Sequence, residues 1–251
     1  VGLKTIKNGV VWELPVGWSI ENHGTYEFNG KLEDKAFAHG SNLVGDMKVS
    51  GRTLALTFDM KEGTEEDYNK AMNDAYLHLT GAFDLVTGRE DRVYRVAGCK
   101  ALKISEKPGF KQRWGEVEVT LFLADPFRYA TDETVINTTF TAAQTQGVIT
   151  FENPSSVDVP IIVTFTPAAD LPEIKIEHVE SGQYFEVKDS LLTAPATLKV
   201  NCEDGTVWRD SNNAINAFTG LFLHVLPGTN TFKYTGKAGT VKIAYTAGWF
   251  I

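Results

Sequence analysis

Much that would give a chain chemistry of its own is missing here. The 251 residues hold two cysteines, Cys99 and Cys202, far apart and in no Cys-x-x-Cys pair. Two free, buried thiols are expected, and neither a disulfide framework nor a metal clip. The five histidines, His23, His39, His78, His178 and His224, fall in no His-x-x-x-His or His-Glu-x-x-His pattern, so no zinc site is expected. No Gly-x-Ser-x-Gly elbow offers a nucleophile, and no glycine-rich loop ending in Lys-Ser/Thr offers a phosphate cradle. No catalytic, cofactor-binding or metal-ligating residue is therefore assigned. No apolar run approaches the ~18–20 residues that cross a bilayer, so no membrane insertion is expected. No basic-then-apolar leader opens the chain, and no secretory signal is expected. Basic charge is short as well: 24 Lys and Arg stand against 32 Asp and Glu, a net charge of −8. The balance is −2 over residues 1–130 and −6 over 131–251. A nucleic-acid binder would carry a basic patch or domain instead.

What is present is a β-rich chain able to bury a core, with 43% hydrophobic and 22% charged residues in a length that suits one large or two ordinary domains. Around residues 115–123, Val117, Val119, Leu121 and Leu123 alternate with Glu116, Glu118 and Thr120. That period of two is a half-buried strand. Asp125-Pro126 stops it, because proline cannot donate to a ladder and holds the preceding residue extended.

Upstream, residues 1–51 read as loop-rich, with Asn8-Gly9 and Asn29-Gly30 as hairpin turns. A strand follows over 52–58, where Leu54, Leu56 and Phe58 alternate. The spacing of Tyr68, Ala71, Met72, Ala75, Tyr76 and Leu79 predicts one amphipathic helix over 65–79. Thr64 is its N-cap with Asp67 in the capping-box position, and Gly81 its stop. Short strands are expected at 84–86, 94–99 and 101–104. Beyond residue 130 helical periodicity disappears. Short strands are expected at 148–151, 160–165, 173–176, 184–187, 197–200, 221–225, 231–234 and 241–245, with turns at Asn153-Pro154, Glu203-Asp204-Gly205 and Pro227-Gly228. The domain boundary is placed within 131–135.

A strand running into Asp125-Pro126-Phe127-Arg128-Tyr129, about midway along the chain, resembles the distal tail protein family of long-tailed bacteriophages. Leu226-Pro227-Gly228-Thr229-Asn230 is similar to the Pro-Gly-x-Asn turn near the end of those proteins, where Gly or Asn accepts positive φ. The tail from Ala247 through Trp249 and Phe250 resembles their aromatic last strand. His39-Gly40-Ser41-Asn42-Leu43-Val44-Gly45 resembles their glycine-rich loop before the first long strand. The resemblance implies a mainly β fold: an N-terminal split β-barrel or sandwich with one α-helix over 1–130, then a galectin-like or jelly-roll β-sandwich over 135–251. It implies that the first domain forms a homo-hexameric ring continuing the tail tube. The second would dock tail-tip, fibre or receptor-binding proteins, and DNA would pass the channel without specific binding. The implied location is the virion tail, assembled in the bacterial cytoplasm.

Candidate contact residues follow from the same reading. The helix, the turn 88–92 and the basic loop 107–113 are candidate subunit interfaces. A ring of identical subunits would also cover the sheet edges that such a domain exposes. Glu116 and Glu118 share one strand face, which is no cleft between two carboxylates of the kind a glycosidase needs. Trp208, flanked by Glu203, Asp204 and Asp210, is a tentative contact for a glycan or a partner. A carbohydrate-binding module is accordingly the alternative function.

Overall fold

The strand predicted around Val119 is the middle of the first half of the molecule. In the computed structural model, which describes residues 2–15, 17–22, 24–88, 91–110, 113–141, 146–168 and 173–250, it runs Trp114–Leu123. It lies antiparallel between Arg52–Lys61 and Gly98–Glu106, with Ser19–Asn22 beyond Arg52–Lys61 at the edge. The register sets Val117 opposite Phe58, Val119 opposite Leu56 and Leu121 opposite Leu54. All six are buried on one face, as period-two alternation requires.

A second sheet of the first half joins Val10–Glu13, Leu3–Lys7, Phe83–Thr87 and Arg92–Val96 in that order, all antiparallel. Its first hairpin turns at Asn8-Gly9, where both residues hold positive φ (51° and 78°). That is the two-residue turn whose twist matches the flanking strands. The sheets stay open and do not close into a barrel. Leu3, Leu85 and Tyr94 of one sheet, Leu56, Phe58 and Val119 of the other, and Tyr68, Ala75 and Leu79 of the helix form one apolar cluster.

The helix spans Glu65–Leu79. Thr64 caps it, accepting the Asp67 amide at 3.1 Å and donating its hydroxyl to Asp67 Oδ2 at 2.6 Å. At the other end Lys7 Nζ donates to the Leu77 and Thr80 carbonyls at 2.7 and 2.6 Å. A cation there answers the negative end of the helix dipole, a long-range contact that no local pattern announces. Tyr76, placed on the apolar face by its spacing, is 47% exposed. Tyr68 and Leu79 already cover the sheet, and Tyr76 falls beyond the stripe's edge. Gly115 is required by close approach: a Cβ there would stand 2.2 Å from the Tyr68 hydroxyl.

Residues 1–51 depart most from their loop-rich reading. Besides the first hairpin they contain a two-stranded ribbon, Phe28–Asp34 against Ser41–Val49. Asn29-Gly30 is not its turn. It lies at a register shift between Phe28 and Gly30, and the chain reverses further on, where the Lys35 amide donates to the Gly40 carbonyl at 3.1 Å. The segment expected as a glycine-rich loop is thus mostly the second strand of this ribbon.

The chain divides into two compact units, Val1–Tyr129 and Ala130–Phe250. The second is a β-sandwich of two antiparallel sheets. One orders Thr134–Phe140, Gly239–Tyr245, Ile162–Pro167, Leu198–Asn201, Thr206–Arg209 and Asn212–Asn213. The other orders Gln146–Asn153, Gly228–Thr235, Glu173–His178, Gln183–Lys188 and Phe218–Gly220. Phe165, Ile176, Phe185, Phe232, Tyr234 and Ile243 turn inward and are fully buried. Tyr234 stacks on Phe140 at 4.5 Å and on Phe165 at 5.8 Å between ring centroids.

The strand expected over 221–225 is broken. Phe218–Gly220 and His224–Val225 pair with different neighbours, and Leu221 between them is half exposed. Residues 247–250 do not extend the last long strand either. They form a separate short piece held by the turn at 153–156, through Gly248 N to Ser155 Oγ and Trp249 Nε1 to the Pro154 carbonyl, both 2.9 Å.

Candidate functional site

The functional surfaces are faces and turns. Among the described residues no three His, Cys, Asp or Glu side chains come together in a way that could hold a metal ion. His23 lies outside the described residues. His78 stacks flat on Trp12 at 5.4 Å, and His178 is fully buried. Both cysteines are free thiols, but only Cys202 is buried as expected; Cys99 is half-buried. Burial pushes the Cys202 thiol up to about 11, and burial also raises Cys99, which its backbone bond to Ala101 only partly offsets. Protonated thiols are poor nucleophiles.

The polar side of the first unit's four-stranded sheet is a lattice of pairs. Glu118 faces Thr57 on one strand and Lys103 on the other, and Lys103 Nζ reaches Glu118 Oε1 at 2.8 Å. One step along, Glu116 accepts from Lys107, and this hydrogen bond holds its carboxyl below the ordinary carboxylate range. Ser19 and Thr57 exchange a hydroxyl hydrogen bond at 2.9 Å. The two glutamates therefore serve as paired members of a mixed-charge face with no cleft between them.

Of the loops expected to carry interfaces, the turn 88–92 includes residues 89 and 90, outside the described residues. The loop 107–113 likewise includes 111 and 112. What is described of the second closes through Lys107 N to the Trp114 carbonyl at 3.0 Å, with Phe110 packed edge-on to Trp114 at 5.2 Å.

Trp208 sits on Thr206–Arg209, opposite Lys199 and Asn213, and is 37% exposed. The acids near it in sequence are engaged elsewhere. Asp204 accepts from Asn201 Nδ2 at 2.6 Å, within the hairpin turn that Glu203-Asp204-Gly205 was expected to make. Asp210 accepts from the Thr197 amide and hydroxyl at 2.8 and 3.1 Å. Asp189 takes the neighbouring Arg209 in an ion pair. The tryptophan lies in a row with Lys199, Thr164, Lys242 and Asn137 across the sheet.

Sequence reasoning saw the Pro-Gly-x-Asn turn but missed what its asparagine does. Asn230 is fully buried. Its Oδ1 accepts the Leu226 amide at 2.8 Å, and its Nδ2 donates to the Leu226 and Gly228 carbonyls at 2.7 and 2.8 Å. His178 Nε2 stands 3.0 Å from Asn230 Oδ1 and 3.1 Å from Glu180 Oε2. Both neighbours are acceptors, so that nitrogen carries the proton. Glu180 also accepts the Thr231 amide at 2.9 Å. This knot fastens the turn after Glu173–His178 to the start of Gly228–Thr235.

The other missed surface is the apolar side of the Phe28–Val49 ribbon. Leu32 faces Leu43 across the strands. Phe28, Leu32, Leu43 and Met47 are 44–72% exposed, Phe37 at the tip is completely so, and Val44, opposite Lys31 on the other side, is 41% exposed. A two-stranded ribbon alone is marginal in water, and contiguous apolar surface marks contact with another body.

Comparison with known proteins agrees with these features. Residues 154–249 match the family described as siphovirus-type tail component, C-terminal domain. No curated protein matches the chain. Among solved structures, the Dit protein of SPP1, described as a paradigm of the hub adsorption apparatus in phages infecting Gram-positive bacteria, is similar over 98% of both chains, with a TM-score of 0.74 and 12% identity. A chain of the phage P2 baseplate in its activated conformation with calcium aligns over 98% of this chain and 97% of its own, with a TM-score of 0.47 and 9% identity. The resemblance to distal tail proteins read from the sequence therefore holds: the second unit matches the tail-component family, and the whole chain shares the Dit-like fold.

Proposed function

We propose that the protein is a structural hub at the distal end of a long phage tail. The first unit forms a hexameric ring that continues the tail tube. The second projects as a docking domain for tail-tip, fibre or receptor-binding proteins. The mechanism is geometric: a symmetric joint around a channel, with no bond made or broken. The observation that carries this reading is the match of residues 154–249 to the tail-component family, on a chain whose fold over its whole length is that of a tail hub protein.

The surfaces supply physical support. An exposed apolar ribbon suits a subunit completed by its neighbours. The face bearing Glu116, Glu118, Thr57 and Ser19, on which Lys103 and Lys107 are paired to carboxylates and Lys61 and Lys100 lie over aromatic rings, suits a channel wall of mixed charge that DNA passes without strong adhesion, because phosphate attraction grows with the number of cations it neutralises. Assembly would take place in the bacterial cytoplasm, and the mature location would be the virion tail. Negative-stain imaging of the purified chain tests the reading: closed rings with a central opening are expected, and particles of single-chain size at every concentration contradict it.

A second reading rests on Trp208, whose half-exposed ring on an open sheet face could stack on a sugar. Asp204 and Asp210, engaged elsewhere, are not free to orient a glycan. A glycan array with a Trp208→Ala control decides it; binding lost in the variant would favour this reading.

A further inference from the structure

The two outer faces of the second unit's sandwich carry charge differently. On the sheet that holds Glu173–His178 and Gln183–Lys188, cations meet carboxylates. Lys175 Nζ reaches Glu177 Oε2 at 3.4 Å, Lys188 Nζ reaches Glu186 Oε2 at 3.0 Å, and Lys233 lies opposite Glu177. On the other sheet the middle row is Asn213, Trp208, Lys199, Thr164, Lys242 and Asn137. Their neighbours along the strands, such as Val207, Leu198, Val163 and Val241, are buried, so the row points outward. The rows beside it run from Thr206 to Val135 and from Thr166 to Thr139, and neither holds an acidic side chain. Asp204, bound to Asn201 at 2.6 Å, lies in the turn beyond them. Neither Lys199 nor Lys242 makes an ion pair or hydrogen bond among the described residues. Residues 131–251 have a balance of −6, so an acid-free face with two open cations stands apart from its surroundings.

Cross-strand neighbours on one face stand about 5 Å apart, which makes Lys199 the immediate neighbour of Trp208. Lys242 lies two strands further on, roughly 10 Å from Lys199. The face therefore offers a ring to stack on, a cation beside it, a second cation along the same line, and Thr hydroxyls and Asn amides around them. A sugar chain has the matching parts: an apolar face for the ring and hydroxyls for the amides and hydroxyls. A protein partner would call for an apolar centre with several anchors, and Trp208 is the single aromatic residue on these three rows.

We propose that this face binds an acidic glycan laid across the strands, with one sugar stacked on Trp208 and carboxylates on separate sugars paired with Lys199 and Lys242. Charge-assisted hydrogen bonds to the two ammonium groups orient the chain, the part that Asp204 and Asp210 are not free to play. This rests on the stacking reading of Trp208 given above and names the class of glycan it takes. Ring assembly through the first unit asks nothing of this face.

The test titrates the full-length protein calorimetrically with three probes: a short hyaluronan oligosaccharide, its neutral methyl ester, and a single-stranded oligonucleotide of equal charge. The acidic sugar is expected to bind, the ester about tenfold or more weakly, and the oligonucleotide not at all. Lys199→Gln with Lys242→Gln should weaken the acidic sugar by a similar factor while thermal unfolding is unchanged, since both side chains point to solvent. Lys175→Gln with Lys188→Gln, on the opposite sheet, should leave binding as it was. An unchanged affinity in the Lys199/Lys242 variant overturns the proposal. Equal binding of acid and ester, lost in Trp208→Ala, overturns it too but keeps the stacking reading. Equal binding of the oligonucleotide, or an equal loss in the Lys175/Lys188 variant, shows attraction to any polyanion and contradicts it. If neither sugar binds, the proposal falls, and the glycan array alone then judges the stacking reading.

Discussion

In the second unit the large aromatic side chains turn inward: Phe165, Phe185, Phe232 and Tyr234 are fully buried, and the exposed apolar residues, such as Val148 and Leu191, lie scattered. In the first unit Phe28, Leu32, Phe37, Leu43 and Met47 gather on one ribbon and stand in solvent. Both units have a closed core, so the difference is not one of folding. The second is complete as a single body, with polar turns locked by buried hydrogen bonds. The first keeps an apolar ribbon in solvent. On the reading proposed above, one chain combines a self-sufficient domain with a domain that neighbouring copies complete.

The comparison can be broken most forcefully at the cores. Tyr234→Ala removes a ring stacked between Phe140 and Phe165 and is expected to cost about 3–5 kcal/mol. Phe37→Ser on the ribbon should leave monomer stability within about 0.5 kcal/mol. Chemical denaturation of the two variants, followed at low protein concentration, checks the contrast; equal losses would mean that the ribbon packs on its own chain.

Next in size is Asn230→Ala. It removes the partners of the part-buried Leu226 amide and of the Leu226 and Gly228 carbonyls, and the expected loss is about 2–4 kcal/mol. Hydrogen exchange should show the protection loss concentrated in Gly228–Thr235. A uniform loss over both units would contradict a lock local to the second.

A smaller effect sits at Thr64. Thr64→Ala deletes the helix cap and should destabilise the first unit by about 1 kcal/mol, read as a lower melting temperature. An unchanged melting temperature would mean that water caps the helix equally well.

The thiols distinguish the units by pH. Cys202 rises from 9.0 unfolded to about 11 folded. Its burial therefore contributes stability that is whole below about pH 9 and drains away as pH rises toward 11, because the unfolded chain releases the proton first. Alkylation should label Cys99 first and reach Cys202 only on unfolding. Equal labelling rates in the native protein would refute the buried setting.

How much of this was legible depended on whether the signal was local. The helix could be placed from Thr64, Gly81 and the Tyr68–Leu79 stripe because capping and periodicity are properties of adjacent residues. The alternation of Val117 through Leu123 fixed a strand face for the same reason. The ribbon escaped notice because Gly30 and Gly45 interrupt its apolar positions, and Asn29-Gly30 imitates a turn where the chain makes a bulge. The break at Leu221 was hidden because an apolar run carries no mark of which neighbour each part will join. Asn230 was noticed as a turn residue, yet its link to His178 spans 52 positions and is invisible to any window. Trp208 was found, but only the fold reveals that the acids beside it are already bound.

Native mass spectrometry of the full-length protein over a concentration series bears most directly on the central claim, that the first unit is completed by copies of itself. A discrete hexamer appearing as concentration rises is the predicted result, while a monomer persisting throughout the series would contradict it.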